Sequence, residues 1–175
     1  YENHTRNKEL LKYAQTDALT GLYNRETTEQ LMDELLSEDE NKSHAFLILD
    51  VDCFKQINDI YGHAVGDRVL QKFGKLLKST FREGDILGRI GGDEFVVIMK
   101  NIQTKDMATK KAGELLAKTQ AYKIDELKGN NISISIGIST APQDGDCYMD
   151  LYKRADQALY QAKRSGKARV CNYFS

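Results

Sequence analysis

Apolar positions along the chain fall into two rhythms, one of three to four residues and one of two, with a few unbroken runs between them. The longer rhythm predicts helices. Residues 25–37 place Leu31, Leu35 and Leu36 on one face. From Asp67 onward, Val69, Leu70, Phe73, Leu76, Leu77 and Phe81 form a stripe with helical spacing. Residues 104–121 make a further helix, and 149–165 another with Leu151, Ala155, Ala158, Leu159 and Ala162 inward. Residues 1–15 are polar and helix-prone and read as a connector helix. Thr16 or Asp17 then offers an N-cap signal and Gly21 a turn.

The strands are short. HAFLILDVD is an apolar run with a sudden acidic end and reads as a buried strand. DILGRI and EFVVIM flank Gly91-Gly92, the pattern of a tight hairpin. NISISIGIS alternates polar and apolar, as a strand with one solvated face does. ARVCNYF closes as a last strand, while SEDENKS and KQINDIYGHAVGD read as loops. The order is α, α, β, α, β-hairpin, α, β, α, β. A hairpin within that alternation predicts an α+β fold, a mixed or mainly antiparallel sheet with helices packed on it.

Composition adds limits. A length of 175 residues fits one domain with a full core. The formal net charge of −1 sets up no field for a nucleic acid polymer or an anionic membrane. An anionic ligand therefore needs local cations or a metal. No apolar run approaches the ~20 residues of a membrane span. Cys53, Cys147 and Cys171 are odd in number and far apart, which suits neither a disulfide framework nor a C-x-x-C metal site and is read as a reducing cytosol. The chain starts at Tyr1, and the expectation is a piece of a longer protein. No G-x-G-x-x-G or G-x-x-x-x-G-K-[ST] is present.

The candidate chemistry is acidic. Asp50 and Asp52 end an otherwise apolar strand, where unpaired charge is costly. Asp93 and Glu94 follow the Gly-Gly pair. If the two strands are neighbours, three or four carboxylates meet at one sheet edge. They then repel and raise each other's pKa unless a cation lies between them. Mg²⁺ suits such a group, taking one or two carboxylates and filling its octahedron with water and phosphate oxygens. An EF-hand is excluded, since Phe54 and Lys55 stand where that loop needs Asp or Asn and Gly. The plainer readings are a solvated strand end for DVD and an ordinary turn for GGDEF. Lys55 and the amides of residues 51–55 offer a phosphate nest. Asn58 and Asp67 are short polar groups with the donors and acceptors a purine edge requires. Lys163 and Lys167 end the last long helix, where dipole pairing also accounts for them.

Together these stretches resemble the GGDEF family, the diguanylate cyclases, over about residues 16–170. The resemblance rests on six blocks in order: D-A-L-T-G-L-Y-N-R at 17–25, D-V-D-C-F-K-Q-I-N-D-I-Y-G-H-A-V-G-D at 50–67, R-E-G-D at 82–85, R-I-G-G-D-E-F at 89–95, S-I-G-I-S at 135–139 and A-D-Q-A-L-Y-Q-A-K at 155–163. It implies a five-stranded sheet of nucleotidyl-cyclase type surrounded by helices, formed by residues 16–175 after the connector 1–15. The implied activity is condensation of two GTP into cyclic di-GMP with release of two pyrophosphates.

The resemblance also implies roles. Asp50, the Val51 carbonyl and Asp93 match the metal ligands, Mg²⁺ or Mn²⁺, with Glu94 a further acidic partner. Asp93 is additionally implied in deprotonating the ribose 3′-hydroxyl, although a metal-bound carboxylate is a weak base. Asn58 and Asp67 match the guanine-reading positions, and Asp67 argues against adenine. Phe54, Lys55, His63, Gly91 and Gly92 line the GTP pocket, and Lys163 and Lys167 match the triphosphate clamp. For His63 a purely structural hydrogen bond is the alternative. Arg82 and Asp85 match the product-inhibition site, where the plainer reading is a surface ion pair. Where the family commonly shows G-R-N, this chain has Gly166-Lys167-Ala168, which loses the guanidinium fork. Cys53 receives no role.

A two-fold symmetric product made by a domain holding one GTP implies an antiparallel homodimer. An upstream sensor domain is expected to control it, in the cytoplasm. The competing reading is a non-catalytic receptor for GTP or cyclic di-GMP, against which the presence of Asp50, Asp93 and Glu94 argues.

Overall fold

The computed structural model of the chain describes residues 2–174. Its elements run α1 (Glu2–Gln15), α2 (Arg25–Glu38), β1 (His44–Val51), α3 (Phe54–Tyr61), α4 (His63–Thr80), β2 (Ile86–Gly91), β3 (Glu94–Met99), α5 (Lys105–Ala121), β4 (Ile134–Ala141), α6 (Tyr148–Arg164) and β5 (Val170–Asn172). The sheet order is β2-β3-β1-β4-β5, antiparallel throughout except that β5 runs parallel to β4. The α+β class and the mixed, mainly antiparallel sheet follow the sequence reading.

Strand alternation divides the core in two. Odd positions of β1 (Leu47, Leu49, Val51) join Phe95 and Val97 under α4 and α5, against Val69, Leu70, Phe73, Leu77, Ala112 and Leu115. Even positions (Phe46, Ile48) join Val96 and Ile98 under α2 and α6, against Met32, Leu35, Leu151 and Ala155. Both faces are covered, so β1 is buried along its whole length.

Four expectations need correction. NISISIGIS has no solvated face: β4 is buried at every position. Its small residues face α6, where Ser139 Oγ donates to the Leu151 carbonyl. A Cβ on Gly137 would lie 2.2 Å from the Ala155 carbonyl oxygen, so the alternation encodes close helix approach rather than water. The segment KQINDIYGHAVGD is helical, as α3 and the start of α4, broken only at Gly62 with its φ of 91°. Phe54, Ile57, Tyr61 and Val65 recur at helical spacing and pack partly buried on the core. The N-cap of α2 is Asn24, whose side chain accepts from the Thr27 amide at 2.9 Å, not Thr16 or Asp17. The face α2 buries centres on Thr28, Met32 and Leu35, with Leu31 and Leu36 flanking it.

Candidate active site

The antiparallel register sets Asp50 of β1 directly opposite Glu94 of β3. Both are even positions, so both side chains face α6. The hairpin turns at Gly92-Asp93, one residue later than the Gly91-Gly92 tip the sequence suggests, with Gly91 paired to Glu94. Gly92 has a φ of 47°, a conformation glycine adopts without a Cβ penalty. The Val51 amide donates to the Asp93 carbonyl at 3.4 Å, closing the turn against the end of β1. Asp50 and Asp93 therefore meet.

Burial, then the close approach and negative charge of the Asp50 carboxylate, push the Asp93 carboxyl up to about 7. Asp50 Oδ1 is buried and has no hydrogen-bond partner, while Oδ2 is engaged by the Lys163 ammonium from α6. Burial alone lowers the Lys163 pKa; the bond to Asp50 and the charges of Asp50, Asp93 and Asp52 outweigh it, so the net shift is upward. An orphaned, buried carboxylate oxygen beside a carboxyl reluctant to ionise is a donor set short of positive charge. It fits a hard divalent cation held by oxygen ligands.

Asp52 does not join this group. Ser133 and Ser135 donate to its two oxygens at 2.6 and 2.7 Å, and the Ala168 amide adds a third bond at 3.1 Å. Asp52 thus ties the strand end to the G-K-A segment after α6.

The amides of Val51 and Asp52 are committed to the Asp93 and Ser133 carbonyls, so a nest over 51–55 is reduced to its later members. Phe54 and Lys55 are the first two residues of α3, where amides lack intrahelical acceptors. Lys55, His63 and Asp67 are exposed; Phe54 and Asn58 are half-buried. A Cβ on Gly66 would lie 1.9 Å from Asn58 Oδ1, so α3 and α4 cross closely there and bring Asn58 beside the residue preceding Asp67. Lys167 is exposed in a left-handed conformation, and its ammonium lies 3.2 Å from Cys53 Sγ.

Arg82 and Asp85 sit at the opposite end of the β2–β3 hairpin. Asp85 is largely spoken for: Oδ2 accepts from the Arg82 amide at 3.1 Å, and Oδ1 from the Lys100 amide at 3.1 Å and Arg82 Nη2 at 3.4 Å. Arg82 Nη2 also donates to the Lys100 carbonyl at 2.6 Å.

Two partners of the site were not singled out from the sequence. Tyr152 of α6 donates its hydroxyl to Glu94 Oε1 at 2.5 Å. Arg89 donates Nε to the Gly92 carbonyl at 2.8 Å and Nη1 to Asp17 Oδ1 at 3.0 Å, locking the turn to the D-A-L-T segment. An apolar stripe on α6 predicts the helix, but not that a hydroxyl at its edge reaches β3.

A sequence pattern described as "Diguanylate cyclase, GGDEF domain" matches residues 14–169. The chain belongs to the GGDEF family. This domain is 36% identical over 171 residues to Diguanylate cyclase A of Treponema denticola, covering 94% of the chain and 46% of that protein. It is 38% identical over 177 residues to the response regulator PleD of Caulobacter vibrioides, covering 97% of the chain and 39% of that protein. The domain thus spans less than half the length of these relatives. Its fold matches the coiled coil and GGDEF domain of DgcB from Caulobacter crescentus in complex with c-di-GMP, with a TM-score of 0.89, 25% identity and coverage of 98% and 92% of the two chains. It also matches the GGDEF domain of YfiN from Pseudomonas aeruginosa, with a TM-score of 0.86, 33% identity and coverage of 91% and 94%. Among the described residues, no helix is long and apolar enough to cross a membrane.

Proposed function

We propose that this domain is a diguanylate cyclase: it joins two GTP into cyclic di-GMP and releases two pyrophosphates. The observation that carries the reading is the buried, unpartnered Asp50 Oδ1 beside Asp93. Asp50, Asp93 and the Val51 carbonyl would hold Mg²⁺, or Mn²⁺ in its place, with Glu94 oriented toward the same edge by Tyr152. The metal, when bound, supplies Lewis-acid polarisation of the 3′-hydroxyl and the α-phosphate.

The chain's own residues bind and orient. Lys163 neutralises Asp50 without nucleotide and is released to the triphosphate as the site fills. Lys167 and the first amides of α3 add positive character at the same end. Phe54, His63, Gly91 and Gly92 border the nucleotide. Asn58 and Asp67 read guanine, and an unmatched adenine leaves polar groups unpaired at about 1–3 kcal/mol each. Each 3′-oxygen attacks the α-phosphate of the other nucleotide, so two domains meet face to face as a homodimer and proximity supplies much of the acceleration. Arg82, with Asp85 holding its loop, takes the product as a feedback inhibitor. An upstream sensor, preceding α1, governs the encounter in the cytoplasm.

The test is chromatographic separation of products from GTP or ATP with Mg²⁺. The parent forms cyclic di-GMP from GTP and nothing from ATP, and Asp93→Ala forms none from either. Nucleotide binding without product in the parent would identify a receptor domain instead.

A further inference from the structure

Lys167 lies in the segment 165–169 between α6 and β5, where the backbone is unusual. Gly166, Lys167 and Ala168 take φ values of 115°, 63° and 49° in succession. Lys167 and Ala168 both carry a Cβ, and adjacent side-chain-bearing residues stay left-handed only where their surroundings impose it. Two backbone bonds fix the ends of the segment. The Lys167 amide donates to the Ala162 carbonyl at 3.0 Å, and the Arg169 carbonyl accepts from the Ile136 amide at 2.9 Å. Between these anchors the Ala168 amide donates to Asp52 Oδ2 at 3.1 Å.

Asp52 is itself held from several sides. It is 8% exposed, its own amide donates to the Ser133 carbonyl at 2.8 Å, and the Ser133 and Ser135 hydroxyls fix its two oxygens. Among the described residues no cation forms an ion pair with it. A buried acid is costly, and a solvated strand end would need none of these donors. The chain then closes on itself. Cys53, the residue after Asp52, precedes the first turn of α3, and the Lys167 ammonium stands 3.2 Å from its sulfur. Holding the Ala168 amide therefore sets where the Lys167 side chain returns, at the end of α3 whose first amides lack intrahelical acceptors.

We infer that Asp52 is a positioning residue for nucleotide binding: through the Ala168 amide it fixes the left-handed turn that places the Lys167 ammonium at the start of α3. The inference rests on the reading of Lys167 as a triphosphate contact and adds what holds that contact in place. The lysine makes the holding matter. An ammonium on a flexible stem lacks the planar fork by which a guanidinium orients itself on phosphate, so the backbone beneath it has to be set.

The test is a double-mutant cycle on the whole chain. It pairs steady-state rates with GTP and Mg²⁺ with calorimetry of 3′-deoxy-GTP, which lacks the attacking hydroxyl; thermal melts verify folding. Asp52→Ala raises KM for GTP and Kd for 3′-deoxy-GTP by about tenfold with kcat within about twofold, the split expected when uniform binding is lost. Asp52→Asn, whose carboxamide oxygen can still accept from Ala168, loses much less. Asp52→Ala/Lys167→Ala binds no more weakly than Lys167→Ala, because the first change acts through the second residue. Should Asp52→Ala fail to fold, Asp52→Ala/Ser135→Ala carries the same cycle without leaving a buried hydroxyl orphaned. Additive losses of about a hundredfold in the double variant, or a fall in kcat at the parent's KM, would overturn the inference. Parent-like binding by Lys167→Ala removes the triphosphate contact and the inference together. A parent that binds 3′-deoxy-GTP yet forms no cyclic di-GMP removes the cyclase reading alone, and the cycle in Kd still decides the role of Asp52.

Discussion

The guanidinium of Arg89 lies 3.0 Å from the Asp17 carboxylate, across 72 residues of sequence, while its Nε holds the Gly92 carbonyl. Both partners are mostly shielded from water, at 17% and 19% side-chain exposure, so this pair is worth more than a surface contact. It fixes the turn that carries Asp93. Arg89→Ala removes both bonds and lowers stability by about 2–3 kcal/mol, Asp17→Asn by about 1 kcal/mol. The two changes overlap, so the double variant loses less than their sum in urea unfolding. Additive losses would show that the two residues act independently. Arg89→Lys keeps the charge, loses the fork and falls between parent and alanine.

Tyr152 gives a kinetic prediction. Its hydroxyl donates to Glu94, while its ring stacks on Tyr148 at 5.9 Å and meets Phe46 at 6.5 Å. Tyr152→Phe keeps the ring contacts and removes one bond to a carboxylate. Steady-state rates with GTP should show kcat/KM lower by about tenfold, the effect of losing a bond worth 1.4 kcal/mol, with little change in melting temperature. Unchanged kinetics would mean that Glu94 needs no such orientation.

Gly137 tests the corrected reading of β4. An added methyl would sit 2.2 Å from the Ala155 carbonyl oxygen and 2.3 Å from the Leu159 amide nitrogen, both backbone atoms that cannot rotate away. Gly137→Ala therefore forces α6 off the sheet and destabilises the domain by about 1–3 kcal/mol or more. The same shift moves Lys163 and Tyr152, which α6 carries, so activity falls further than unfolding accounts for. Guanidinium titration beside a GTP assay separates the two losses.

Much of this was legible in the sequence because one periodicity maps onto one environment. The α4 stripe Val69, Leu70, Phe73 and Leu77 and the α6 stripe Leu151, Ala155, Leu159 and Ala162 are buried as read. Asp50 and Asp93 come together because a strand end and a hairpin turn are local signals and the sheet is antiparallel. What stayed hidden depends on a second element. Ser135, Gly137 and Ser139 look like a wet face until α6 is known to lie on them. Phe54, Ile57 and Tyr61 carry a weak stripe between glycines, and only α4 gives it something to pack against. Asp17 reads as a cap because nothing local announces a partner 72 residues away.

His44 opens β1 and is 1% exposed. Its Nδ1 accepts from the Asn101 amide at 3.0 Å, and its Nε2 has no partner. Burial lowers its pKa below 6.5, and the positive charges of Lys42 and Lys100 add to this against the smaller opposing pull of Glu38 and Asp39. The folded state therefore resists a proton that the unfolded chain accepts. Stability from this residue is complete above pH 6.5 and is lost as pH falls from there toward the folded pKa, with a slope of at most about 1.4 kcal/mol per pH unit. Urea unfolding between pH 7 and 5.5 should show the decline, and His44→Asn should flatten it. An imidazole resonance of His44 that titrates at or above 6.5 by NMR would contradict this account, because a proton taken up that readily cannot cost the folded state stability.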